Sequence, residues 1–305
     1  MAKKDRAEKD AAKPGAESER GKTGKASPPS LRALLRVPPG RVHLGAVDPS
    51  STPGGPSRKA AGVAAMARMA DPLASLQERL YAASTAGDRR RLLLVLQGMD
   101  TSGKGGTVKH VIGILNPSGC RVRSFKAPTP EERKHHFLWR VTKPLPQPGE
   151  IGIFDRSHYE DVLIARVREL VPRSVLNRRY DEINRFEESL AEDGVTVVKA
   201  FLHISYEEQR ERLLARLDNP SKHWKFNPGD IDERALWPAY QRAYELALER
   251  CSTDAAPWYV VPADRKWYRN WAIGTLLSEH LEDMDPRYPG ADFDVAECRA
   301  RLLAT

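Results

Sequence analysis

Three cysteines in 305 residues, Cys120, Cys251 and Cys298, are too scattered for a disulfide framework or a zinc ligand set, and they point to a reducing compartment. No apolar stretch approaches the roughly twenty residues that span a membrane. The charged, Ala/Lys/Glu-rich start carries no apolar core of a secretory signal, so a cytoplasmic chain without membrane contact is expected. His135, His136, His203 and His223 share no ligand spacing and receive no metal role. Internal repeats are lacking as well. The core also lacks net charge. Residues 1–70 hold 14 Lys/Arg against 6 Asp/Glu and so carry the whole surplus of +8, while the rest holds 35 of each sign. A neutral core argues against nucleic acid as a partner, and any grip on a polyanion must come from local clustering.

Residues 1–30 are poor in aromatic and β-branched residues and read as a disordered basic tail, solvated or touching a polyanion. Residues 31–70 read as an extended strap, turn-rich to residue 58. Residues 71–305 form the main domain. Apolar or alternating runs at 92–97, 120–125, 150–154, 195–203 and 258–261 predict strands. Helices are predicted from Pro72 to Gly87 and over 107–115, 131–140, 157–168, 174–192, 205–216, 232–250 and 265–281. Alternation of this kind gives an α/β fold, one parallel sheet with helices on both faces, which binds ligands at the carboxyl ends of its strands.

The run Leu92-Leu93-Leu94-Val95-Leu96 empties into Gly98-Met99-Asp100-Thr101-Ser102-Gly103-Lys104-Gly105-Gly106, and a helix follows. Strand, glycine loop, lysine and helix wrap backbone N–H groups around phosphate oxygens. Gly98-x4-Gly103-Lys104 has phosphate-loop spacing, but Gly105 stands where a Ser or Thr hydroxyl usually meets magnesium. A carboxylate must then replace that hydroxyl. Asp100 lies inside the loop, and Asp155 ends another strand. Asp155 alone reads equally as an N-cap, but beside a phosphate loop the metal role is favoured, with Mg²⁺, or Mn²⁺ in its place, as the ion. Arg156 has the fork for phosphate, or for a salt bridge to Glu160 or Asp161. Arg121, Arg123, Lys126, Arg133, Lys134, Arg140 and Lys143 are opposed only by Glu131 and Glu132, which suits a long polyanion or a solvated face. Arg133 and Arg140 share a helix face if one helix runs that far. Arg212, Arg216, Lys222, Lys225 and Trp224 flank Asn219-Pro220 and read as a lid around 212–232, with Arg216 as a charge-neutralising finger.

These motifs, with Ser124-Phe125-Lys126-Ala127-Pro128-Thr129, Phe137-Leu138-Trp139-Arg140, Phe154-Asp155-Arg156-Ser157-His158-Tyr159-Glu160-Asp161-Val162 and Leu217-Asp218-Asn219-Pro220-Ser221-Lys222-His223-Trp224-Lys225-Phe226, resemble the polyphosphate kinase 2 family. Ala256-Pro257-Trp258-Tyr259 and Pro262-Ala263-Asp264 continue the match, which runs from about Leu31 to Leu281. The resemblance implies a thymidylate-kinase-like P-loop fold with a helical lid and a reversible, Mg-dependent transfer between inorganic polyphosphate and nucleotides (ADP, AMP, GDP, ATP). It implies Asp100, Lys104, Asp155, Arg156 and Arg216 as the catalytic set and Lys126, Arg133 and Arg140 on the polyphosphate path. It also implies a homodimer or homotetramer. The residues alone leave two other readings: an ATP-dependent nucleoside monophosphate kinase, and a non-catalytic polyanion- or nucleotide-binding module.

Overall fold

The computed structural model describes residues 29–305, so the tail read over 1–30 lies outside the described residues apart from Pro29 and Ser30. A short helix, α1 (Leu31–Leu35), and a long one, α2 (Lys59–Thr85), precede β1 (Arg91–Gln97). There follow α3 (Lys104–His110), β2 (Cys120–Ser124), α4 (Trp139–Thr142), β3 (Ile151–Asp155), α5 (Ile164–Val167), α6 (Arg173–Glu192) and β4 (Val195–His203). The chain continues through α7 (Tyr206–Leu217), α8 (Gly229–Ala235), α9 (Trp237–Cys251), β5 (Trp258–Pro262), α10 (Lys266–Met284) and α11 (Val295–Leu303). Among the described residues no helix is long and apolar enough to cross a membrane.

The five strands form one parallel sheet in the order β2-β3-β1-β4-β5. Strand β1 lies at its centre and is buried along its whole length, as a strand covered on both faces must be. Leu92 through Leu96 are fully buried, each contributing roughly 1.5–3 kcal/mol by leaving water. Register then fixes the site. Leu96 lies opposite Asp155, Asp155 opposite Ser124, and Gln97 opposite Phe201. The loops after β1, β2 and β3 therefore leave at one height, beside the point where the strand order reverses.

Five expected helices differ from the sequence reading. The one expected over 107–115 starts earlier, as α3 at Lys104, and gives way after His110 to a 3-10 turn at Ile112–Ile114. Helix α2 begins at Lys59, so the strap ends at residue 58 and residues 59–70 are helical. The alanines around Val63 favour a helix without showing apolar periodicity, and Pro72, read as a start, sits inside it. Gly62 allows α2 to approach α10, since a Cβ there would lie 2.2 Å from the Trp267 ring. The single helix expected over 131–140 is a turn at Glu132–Lys134 followed, after His135 in extended backbone, by α4. Arg133 and Arg140 thus share no helix face. The segment 157–168 is likewise two short pieces, a turn at His158–Asp161 and then α5. Expected helix 232–250 is divided at Leu236, because Pro238 opens α9 and cannot continue α8.

Candidate active site

The loop after β1 takes positive φ at two glycines and, at a cost in strain, at one β-branched residue. Gly98 has φ 153°, Gly103 φ 109°, and Thr101, which is not glycine, φ 65°. Ser102 N donates to Met99 O at 3.0 Å, closing the turn. Lys104 is buried, and its Nζ donates to Gly98 O at 2.8 Å and Met99 O at 3.3 Å. Burial, then the Arg156 guanidinium, pushes the Lys104 pKa down, while Asp100, Asp155 and Glu160 oppose the shift. Three carboxylates and one arginine therefore act on this amine.

Arg156 Nη2 donates to Asp100 Oδ1 at 2.7 Å, so Arg156 pairs with Asp100 and not with Glu160 or Asp161. Burial alone would raise the Asp100 pKa, but Lys104, Arg156 and Arg216 outweigh it and hold the carboxyl below its ordinary value. Arg156 sits at φ 64°, a left-handed conformation costing about 1–2 kcal/mol for an L residue. Asp155 is not the cap of the following turn. Ser157 is, its Oγ accepting from Tyr159 N at 3.2 Å. The Asp155 carboxylate makes no hydrogen bond or ion pair with any described side chain, yet its charge reaches both Lys104 and Arg156.

Asp100 and Arg156 open onto a cleft of about 430 Å³ whose apolar walls include Phe125, Ile164, Tyr240 and Tyr244. Lys126 and Arg140 line it, with Arg140 lying 5.3 Å over the Phe125 ring and donating to Lys126 O at 2.6 Å. Arg133 does not line the cleft; it is exposed and donates to Pro128 O. Arg216 donates to Lys225 O at 2.8 Å and lies 3.5 Å from Asp230, close enough for its charge to act on Asp100. Lys222 and Lys225 are exposed on the turn Pro220–Lys225. Arg212, grouped with them in sequence, is not a lid residue. It is buried against backbone carbonyls of the phosphate loop, because it lies on the face of α7 that also buries Gln209 and Leu213.

Sequence reasoning missed Glu160. It lines the cleft beside Asp100 and Arg156, and burial raises its carboxyl pKa despite Arg156 and Lys104. Gln97 holds it: with the amide oriented to satisfy both its atoms, Nε2 donates to Glu160 Oε1 at 3.1 Å. The resemblance motif contained Glu160, but nothing local marked it as facing the site. Among the described residues no three His, Cys, Asp or Glu side chains cluster as a metal cage. Asp100 and Asp155 nonetheless fit Mg²⁺ or Mn²⁺, hard ions that take one or two carboxylates and fill their shell with phosphate and water oxygens.

A central strand delivering a glycine loop and a buried lysine, with carboxylates and an arginine at the adjoining strand end, defines a P-loop phosphotransferase. The family model Polyphosphate kinase 2 (PPK2) matches residues 57–289. The AMP/ADP-polyphosphate phosphotransferase of Meiothermus ruber is 49% identical over 252 residues, covering 83% of this chain and 93% of that protein. The ADP-polyphosphate phosphotransferase of Rhodopseudomonas palustris is 43% identical over 71% of this chain and 78% of its own. The crystal structure of polyphosphate kinase 2 from Arthrobacter aurescens TC1 superposes with a TM-score of 0.89 at 50% identity, covering 91% of this chain and 98% of that one. The chain belongs to the polyphosphate kinase 2 family.

Proposed function

We propose that this phosphotransferase moves a phosphoryl group reversibly between inorganic polyphosphate and a nucleotide, with ADP, GDP and AMP as acceptors, in the cytoplasm. The observation that carries the reading is the convergence of Lys104, Arg156, Asp100 and Asp155 at one rim of the sheet, beside a cleft large enough for a nucleotide. Both AMP and ADP are proposed because the Meiothermus ruber relative is named for both.

Phosphoryl transfer asks a protein mainly for position and positive charge. In this assignment the loop N–H groups and Lys104 hold the transferring phosphate, and Arg156 supplies a planar fork to its oxygens. Arg216 enters from the lid side as charge develops. Lys126, Arg133 and Arg140 guide the rest of the chain along the outer edge. Asp100 and Asp155 would hold a divalent metal, which would supply Lewis-acid charge to the phosphate oxygens when bound. Exposed Lys222 and Lys225 sit on the segment that closes over the phosphates and excludes water. Assembly as a homodimer or homotetramer belongs to the same proposal and is read from light scattering of the purified chain.

The test is ATP formation by purified protein from polyphosphate, Mg²⁺ and ADP, and ADP or ATP formation from AMP. Product in either case supports the reading. Activity only with ATP plus a nucleoside monophosphate makes the chain an ordinary monophosphate kinase, and no transfer in any mixture leaves a binding module.

A further inference from the structure

We propose that Arg212 and Arg269 are positioning residues that set the phosphate loop from behind, aiming the Gly103 N–H at the phosphate chain. The proposal rests on the site being a phosphate-transfer site, and it concerns two buried cations that line no part of the cleft. Arg212 reaches in from α7 and Arg269 from α10, only 8% and 3% exposed. Arg212 Nη1 donates to Thr101 O at 2.8 Å and Ser102 O at 3.1 Å. Its Nη2 donates to Ala263 O at 2.6 Å and Asp264 O at 2.9 Å, tying the loop to the end of β5. Arg269 Nη1 approaches the same Ser102 carbonyl at 3.4 Å, and Asn270 Oδ1 accepts from its Nη2 at 2.8 Å.

In a trans peptide the C=O and the next N–H point in opposite directions, and no cis bond occurs among the described residues. Two guanidiniums holding the Ser102 carbonyl therefore turn the Gly103 N–H away from themselves. That N–H precedes α3, so no carbonyl of the helix accepts from it. Arg269 also accounts for Gly103 and Gly106. A Cβ on Gly103 would lie 1.7 Å from its Nη1, and one on Gly106 2.9 Å from its Nη2. Lysine, a point charge without a fork, cannot brace the loop in this way.

Charge adds a second role. Arg212 is matched by Glu208 at 2.7 Å, but Arg269 makes no ion pair with any described residue. Burial, then neighbouring Arg212, brings the Arg269 pKa down to about 10. An unmatched buried cation destabilises the unliganded fold, and a phosphate oxyanion in the loop above offsets that cost. A merely structural arginine would instead stabilise the empty protein.

The experiment uses the full chain with inorganic tripolyphosphate as probe, measured by calorimetric titration and by thermal unfolding with and without it. In Arg269→Met the tripolyphosphate Kd and the polyphosphate KM should each rise at least tenfold. The KM for ADP should move less than threefold, and the unliganded Tm should be unchanged or higher. Arg269→Lys should recover part of the affinity. Wild-type tripolyphosphate affinity in Arg269→Met, or a lowered Tm with unaltered binding, overturns the proposal. If Arg269→Met does not fold, Arg269→Lys and Arg212→Lys carry the test, since both keep charge and lose the fork, and wild-type binding in both overturns it. Wild-type protein that binds tripolyphosphate and forms no ATP sinks the functional reading and leaves the brace standing.

Discussion

Glu187→Gln takes one charge out of a cluster that water does not reach. Lys199 on β4 is fully buried, donates to Tyr159 Oη at 2.8 Å and Cys251 O at 2.6 Å, and pairs with Glu187 Oε2. Tyr159 Oη donates in turn to Glu187 Oε1 at 2.9 Å, and His158 Nε2 lies 3.2 Å from that oxygen. Glutamine keeps the shape but strands the Lys199 ammonium. Breaking a buried pair in this way costs about 3–5 kcal/mol, a large part of the roughly 5–15 kcal/mol that holds a domain together. Combining it with Lys199→Met removes both charges and should restore most of the loss. Urea unfolding of the two single variants and the double variant measures this. A single-variant loss under about 1 kcal/mol, or a double variant no more stable than the weaker single, refutes the reasoning. The cluster also bears on turnover, because His158 and Tyr159 follow directly on Asp155, Arg156 and Ser157. Loosening them lets the left-handed Arg156 relax, so kcat should fall in the variant molecules that remain folded.

Three further outcomes follow from the same contacts. Burial raises the Glu187 pKa, but Lys199 and His158 outweigh it and the folded-state value is depressed. Its stabilisation is thus present above the unfolded value of about 4.3 and lost as pH falls through the folded one, so the stability gap between wild type and Glu187→Gln should narrow below about pH 4; a constant gap there contradicts this. Gly103→Ala forces φ 109° on an alanine and drives its Cβ into Arg269, at about 1–2 kcal/mol for backbone and about 1–3 for overpacking. Calorimetry should show Tm lowered by at least about 4 °C, and an unchanged Tm would show that the arginine moves freely. Arg216→Ala should lower kcat at least about tenfold while nucleotide KM changes little, and an unchanged kcat rejects its role as a finger.

The elements that bring the candidate site together were legible because their signals are local. Five consecutive apolar residues before Gly98 read as a buried strand, and loop spacing marks Lys104 by type and position. Asp155 and Arg156 were visible because they end a second apolar run, and sheet register brings them level with the loop. Arg269, Glu187 and Lys199 were not legible. Each is a charged residue whose burial depends on a partner or carbonyl distant in sequence, and α10 presents Arg269 at a position that reads as an ordinary polar face. The boundary differences have a local origin instead. Alanine-rich helix around Val63 carries propensity but no periodicity, and the capping pair Thr129–Glu132 starts a turn that extended backbone at His135 ends.

The most direct measurement is the initial rate of ATP formation from polyphosphate, ADP and Mg²⁺ by wild type, Lys104→Ala and Asp155→Asn, each first shown to unfold at the wild-type temperature. Both variants should lose about 10²-fold or more in kcat, the scale of losing one group that stabilises transition-state charge. A wild-type rate in either variant would contradict the claim that this lysine and this aspartate act on the phosphate chain.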